Sequence, residues 1–82
     1  MRTVYVFFPT VMTVKEFVEK LSPLKGDFDL LEDKYIVDAR SLMGIFVLNL
    51  SKPVLLRIER DSEETMEALK DFIVDEPSVN PV

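Results

Sequence analysis

Asp38-Ala39-Arg40-Ser41-Leu42-Met43-Gly44-Ile45 is the stretch whose reading decides the fold of this chain. Serine is a favoured helix N-cap, so Ser41 marks the start of a short helical segment, Leu42 to Val47. That segment is apolar enough to lie against a sheet or a partner. Leu42-Met43-Gly44-Ile45-Phe46-Val47-Leu48 is too apolar for a short helix to bury whole, and some of it must be exposed. Met43, Ile45 and Phe46 are each candidates for core and for a docking patch.

Outward from this segment, the chain punctuates itself. Asp27-Phe28-Asp29-Leu30 alternates as a half-buried strand should, Glu32-Asp33-Lys34 suits a tight turn, and Tyr35 to Ala39 makes the returning strand. After the loop Ser51-Lys52-Pro53, Val54, Leu56 and Ile58 alternate with Leu55, Arg57 and Glu59 in another strand. Upstream, Thr3 to Phe8 is β-branched and aromatic, with Val4, Val6 and Phe8 on one face and Tyr5 and Phe7 on the other. Thr13 with Glu16 makes a capping box for a first long helix, whose buried stripe is Val14, Phe17, Val18 and Leu21. Pro23 stops it.

Downstream, Asp61 or Ser62 starts a last helix, Asp61 with Glu64 forming a second capping box and Glu63 and Glu64 suiting the helix dipole. Met66, Leu69, Phe72 and Ile73 are its buried stripe. The pattern implies one α+β domain over residues 1–76, with an antiparallel sheet covered by helices on one face, and a flexible tail over residues 77–82.

Composition narrows the function. The 82 residues include neither cysteine nor histidine, which removes thiol chemistry, cysteine-type zinc sites, the commonest general base and the commonest metal ligand. A net charge of −5 argues against a nucleic-acid binder. The run Val4 to Phe8 is too short to span a membrane or to form a signal-peptide core, so a cytoplasmic protein is expected. Glu32-Asp33 and Glu63-Glu64 stand where turns and helix starts favour acids. Without histidine to complete a site they read as solvated faces, so neither a metal nor a cofactor is expected.

The segment Asp38 to Ile45, followed at the right distance by Leu50-Ser51-Lys52 and the Val54 to Glu59 strand, resembles the regulatory segment of the histidine-containing phosphocarrier protein (HPr) family. The resemblance runs from Phe28 to Ile73, about half of the chain, without a gap. It implies an HPr-like open-faced β-sandwich of order βαββαβα with a four-stranded antiparallel sheet. A working member carries a histidine before its first helix, followed closely by arginine and proline. Here Phe8-Pro9-Thr10-Val11-Met12-Thr13 stands instead, with neither histidine nor arginine. Threonine is no substitute, since an alkyl phosphate is a far weaker phosphoryl donor than a phosphoimidazole. The carrier role does not transfer, and no enzymatic activity is expected.

What the resemblance does imply is a regulatory serine. Ser41 matches the residue phosphorylated by an HPr-type serine kinase, and Arg40 stands ready to pair with the phosphate. Arg40, Leu42, Met43, Gly44 and Phe46 would then form the partner-binding surface, for protein partners of the phosphotransferase or carbon-regulation type. Capping alone also accounts for Ser41. With strands paired as in HPr, Tyr5, Phe7 and Leu55 form one apolar cluster on the open sheet face, joined by Ile36 from the far edge, which makes a homodimer the expected use. A register one residue off would bury them instead.

Three readings stand open. One is a non-catalytic regulatory module of HPr descent. The second is a phosphotransferase-system component that takes phosphate at another residue or lends only its surface. The third is a small-molecule-binding or structural α+β domain.

Overall fold

Burial alternates with period two along Phe28 to Leu30 and Val54 to Ile58 and follows a single stripe along the first helix, so the sheet has one covered face. The computed structural model describes residues 1–77. Along them run β1 (Arg2–Val6), α1 (Val11–Leu21), β2 (Phe28–Glu32), β3 (Tyr35–Asp38), α2 (Leu42–Ile45), β4 (Val54–Ile58), α3 (Glu63–Leu69) and β5 (Ile73–Val74). The strands form one antiparallel sheet in the order β3-β2-β4-β1-β5. This is the expected α+β architecture with three helices. Of the expected tail, residues 78–82 lie outside the described residues, and Pro77 is an exposed loop residue.

The core lies between the sheet and its helices. Val6, Phe28, Leu30, Val54, Leu56 and Ile58 meet Val14, Phe17 and Leu21 of α1, Ile45 of α2 and Leu69 of α3, all buried. Phe17 stands edge-on to Phe8 at 4.8 Å and to Phe72 at 5.3 Å between ring centroids, the geometry that ring quadrupoles favour. The β2–β3 hairpin turns at Asp33-Lys34, with Glu32 opposite Tyr35 and Asp33 at φ +52°, a conformation that short polar side chains tolerate.

Five expectations need correction. The sheet has five strands, not four. Ile73, expected on the last helical stripe, lies in β5, because α3 ends at Leu69 and Ile73 and Val74 pair with Val6 and Tyr5. The amide of Phe7 donates to the carbonyl of Phe72 at 3.0 Å, extending that pairing. Phe72-Ile73-Val74 suits a strand, and the outer edge of β1 offers unpaired backbone groups that a continued helix would leave open.

The helix caps also move. Thr10, not Thr13, caps α1: its hydroxyl accepts from the amide of Thr13 at 3.1 Å and lies 2.9 Å from the Thr13 hydroxyl. Ser62 caps α3, accepting from the Thr65 amide at 3.1 Å, and the Asp61–Glu64 box does not form. Asp61 meets Arg2 instead, at 3.2 Å. Finally, α2 ends at Ile45, two residues short of Val47.

The corner between α1 and β2 is closed from a distance. Arg40, in the turn after β3, donates its guanidinium N–H groups to the carbonyls of Leu21 at 3.3 Å, Gly26 at 2.9 Å and Leu24, and lies 4.8 Å from the centre of the Phe28 ring. Leu21 is the last residue of α1, where carbonyls lack helical partners. Gly26 sits at φ +93°, and a Cβ there would crowd the Arg60 side chain at 3.2 Å, so both the bend and the approach require glycine.

Arg40→Ala should therefore destabilise the fold by about 2–4 kcal/mol, since charge-assisted bonds are lost and the Leu24 and Gly26 carbonyls lose their partner, while that of Leu21 keeps the Leu24 amide. Arg40→Lys, which keeps the charge but not the planar fork, should fall between Arg40→Ala and wild type. Urea unfolding measures both. A shift below about 0.5 kcal/mol for Arg40→Ala would show that solvent replaces the guanidinium without cost.

Candidate functional site

Ser41 occupies the corner where β3 hands over to α2. Its amide donates to the Asp38 carbonyl at 2.9 Å, and its hydroxyl accepts from the Gly44 amide at 3.1 Å. The N-cap read from the sequence is present in this geometry. The Asp38 carboxylate, in turn, accepts from the Arg40 amide at 2.8 Å. Arg40 itself is not an open cation beside Ser41, because its guanidinium is engaged by the three carbonyls of the α1–β2 corner.

The apolar run after Ser41 divides cleanly. Ile45 is fully buried and belongs to the core, while Leu42 packs against that core partly buried. Met43 is 83% exposed, and Phe46 and Val47 are also exposed. Gly44 is half-buried against Ser41 and Val37. Of the expected partner-facing residues, Met43 and Phe46 thus stand at the surface, whereas Arg40, Leu42 and Gly44 hold the corner behind them.

Two further residues join this surface that sequence reasoning missed. Val11 and Met12, at the start of α1, are both exposed, and a hollow of about 250 Å³ lies between Pro9, Thr10 and Val11 on one side and Phe46 and Leu50 on the other. They were hidden because a cap at Thr13 makes them loop residues; with the cap at Thr10 they form the first turn of α1. Their signal was that they fall outside the stripe Val14, Phe17, Leu21. Thr10, in the loop where the resemblance expects the phosphorylated histidine, has its hydroxyl engaged in capping.

The expected self-association residues lie elsewhere. Tyr5 pairs with Leu55 across β1 and β4; both are half-buried, as is Phe7, and all three belong to the sheet face away from the helices. Ile36 lies exposed on the same face. Among the described residues, no group of acidic side chains is placed to hold a metal ion, and no helix is long and apolar enough to cross a membrane.

No protein-family model matches the sequence, and no curated protein matches it. Among solved structures, the chain is similar to the crystal structure of HPr-C-His from Thermoanaerobacter tengcongensis, with a TM-score of 0.71 and 29% identity over 87% of this chain and 89% of that one. The fold is HPr-like. The β5 pairing is an addition to the four strands expected from the resemblance.

Gly44 tests how tightly the Ser41 corner is built. Alanine is the better helix former by about 0.5–1 kcal/mol. Against that, a Cβ on Gly44 would lie 3.1 Å from the Ser41 Oγ and 3.3 Å from the Val37 Cβ. The Oγ is held by its bond to the Gly44 amide and the Val37 Cβ by the β3 backbone, so neither yields easily. Crowding should win, and Gly44→Ala should lose about 1 kcal/mol in a thermal melt. A variant melting above wild type would contradict this, and adding Ser41→Ala should return part of the loss.

Proposed function

We propose that this chain is a non-catalytic regulatory and protein-binding module of HPr-like fold, acting in the cytoplasm and switched by phosphorylation at Ser41. The observation that carries this reading is the apolar surface around the starts of α1 and α2. Val11, Met12, Met43, Phe46 and Val47 are all exposed there, beside a serine that caps α2. Val11 and Phe46 line one hollow, and exposed apolar residues gathered around such a hollow mark a contact site. The hollow beside Phe46 is smaller than the roughly 300–1,000 Å³ of small-molecule pockets, which favours a partner's side chain over a ligand.

Phosphate transfer is absent from this function. The chain has no histidine, and the Thr10 hydroxyl is tied to the first turn of α1. The partners are proteins of the phosphotransferase or carbon-regulation type, with an HPr-type serine kinase acting on Ser41.

The engagement of Arg40 gives the switch its sense. A phosphate adds about −1.5 to −2 charge at pH 7. Arg40 is closed on backbone carbonyls and Asp38 is a like charge, so beyond the start of α2 the phosphate finds little compensation within the molecule. Its charge is offered to a partner, beside Met43 and Phe46.

Treatment with an HPr-type serine kinase and ATP should label wild type and leave Ser41→Ala unlabelled. Ser41→Asp should melt at least as high as Ser41→Ala, because an acid also serves as N-cap and meets the positive end of the helix. Met43→Lys, at a fully open position, should keep the wild-type melt yet weaken binding of a protein partner captured on the immobilised wild-type chain about tenfold. Absence of label, together with a partner indifferent to both Ser41→Asp and Met43→Lys, would reduce Ser41 to a helix cap and end this reading.

A further inference from the structure

Sulfur in this chain is methionine sulfur alone. The 82 residues hold four methionines and no cysteine, histidine or tryptophan. A two-electron oxidant such as hydrogen peroxide therefore meets no thiol that would react first, and the thioethers are its targets. Their reaction follows exposure, and the fold sorts the four unevenly. Met66 is half-buried and packs against the core. Met1, Met12 and Met43 are 84%, 60% and 83% exposed.

The last two belong to the surface around the helix starts. Met12 follows Val11 in the first turn of α1, and Met43 stands three residues before Phe46, on the same side of a helical turn. Val11 and Phe46 line the hollow of about 250 Å³. Met1 stands apart from them, before β1, beside Asp27, Asp29, Arg57 and Glu59. Methionine is the softest and most adaptable of apolar side chains, which suits it to surfaces that receive partners. Neither Met12 nor Met43 belongs to the core, so the fold does not depend on an unoxidised sulfur at either position.

We propose that Met12 and Met43 form a reversible oxidation site that withdraws this surface from a protein partner. The proposal rests on the reading of that surface as a contact site. A sulfur lone pair attacks one oxygen of hydrogen peroxide, so that an S–O bond forms as the O–O bond breaks. The hydroxide that leaves takes the proton of the transferred oxygen and departs as water. Each sulfur loses two electrons, and the peroxide gains them. The product sulfoxide is polar, with an oxygen that accepts hydrogen bonds. In water that oxygen is satisfied. Against a partner's apolar side chains it is not, and the cost of burying an unpaired acceptor falls on the complex alone. Unlike phosphate on Ser41, the sulfoxide carries no net charge, so salt leaves its effect in place. Sulfoxide reductases, one for each epimer, reverse the step: two thiols give up two electrons to form a disulfide, and the oxygen leaves as water.

Graded hydrogen peroxide treatment of the full chain, with the added oxygen located by peptide mass spectrometry, tests the proposal. Met12 and Met43 should oxidise several-fold faster than Met66. With both converted and Met66 intact, the melting midpoint should stay at the wild-type value and retention on a phenyl matrix should fall. A protein partner captured on the immobilised wild-type chain should bind the oxidised chain about tenfold more weakly. Treatment with both sulfoxide reductases and dithiothreitol should restore that binding. Met12→Leu with Met43→Leu keeps the apolar volume and takes up no oxygen at either position. Peroxide should still reach Met1 in this variant, yet change neither retention nor binding.

Met66 oxidising as fast as Met12 and Met43, or a melt that falls as those two convert, would overturn the proposal. So would phenyl retention that ignores their conversion, a double leucine variant equally sensitive to peroxide, or a partner held equally by oxidised and untreated chains. If Met43→Lys still weakens that partner, the contact reading stands and only the oxidation site is lost.

Discussion

The guanidinium of Arg40 ties together two parts of the chain that are distant in sequence. It reaches from the β3–α2 turn to the carbonyls of Leu21, Leu24 and Gly26, which end α1 and turn the chain toward β2. Such carbonyls have no helical partner, and leaving one buried and unpaired costs about 1–3 kcal/mol. The backbone of the same residue is tied as well, its amide to the Asp38 carboxylate, while the next amide, that of Ser41, bonds the Asp38 carbonyl. The position of Ser41 relative to α1 follows from these bonds. So does the setting of α2, and with it the exposure of Met43 and Phe46 beside Val11 and Met12.

The sheet then separates two surfaces of different character. On the helix side, the exposed apolar residues gather around two helix starts and a serine whose modification would change their charge environment. On the open side, the apolar residues form a straight row beside the Arg57–Asp29 ion pair. The first arrangement suits a partner whose binding is switched. Nothing in either depends on a titrating side chain, which accords with a chain that has no histidine or cysteine.

Periodicity made most of the fold legible. Val54, Leu56 and Ile58 could be buried together only in a strand, and Val14, Phe17 and Leu21 only on a helix. The resemblance around Ser41 supplied the topology that periodicity alone could not. Ambiguity remained where two local solutions had equal chemistry. Thr10 and Thr13 are both good caps three residues apart, and the choice depends on which start lets the stripe face the sheet. Phe72 and Ile73 fit a helical stripe as well as a strand; the unpaired edge of β1 decides between them.

The site was less legible because long side chains choose partners by distance in space. Arg40 stands next to Ser41 in sequence, which suggested a phosphate partner, but its reach of several ångströms takes it to the α1–β2 corner. Likewise a four-residue helix is too short to declare its own buried face, so Met43 and Ile45 could not be told apart until the sheet beneath them was placed.

Phosphoryl transfer distinguishes a chain that has only the fold of a phosphocarrier from one that works as a carrier. The protein would be incubated with phosphoenolpyruvate and the first enzyme of a phosphotransferase system, and bound phosphate measured alongside a histidine-bearing HPr as positive control. No acid-labile phosphate is expected on this chain. Stoichiometric phosphate that passes onward to a sugar transporter would contradict it.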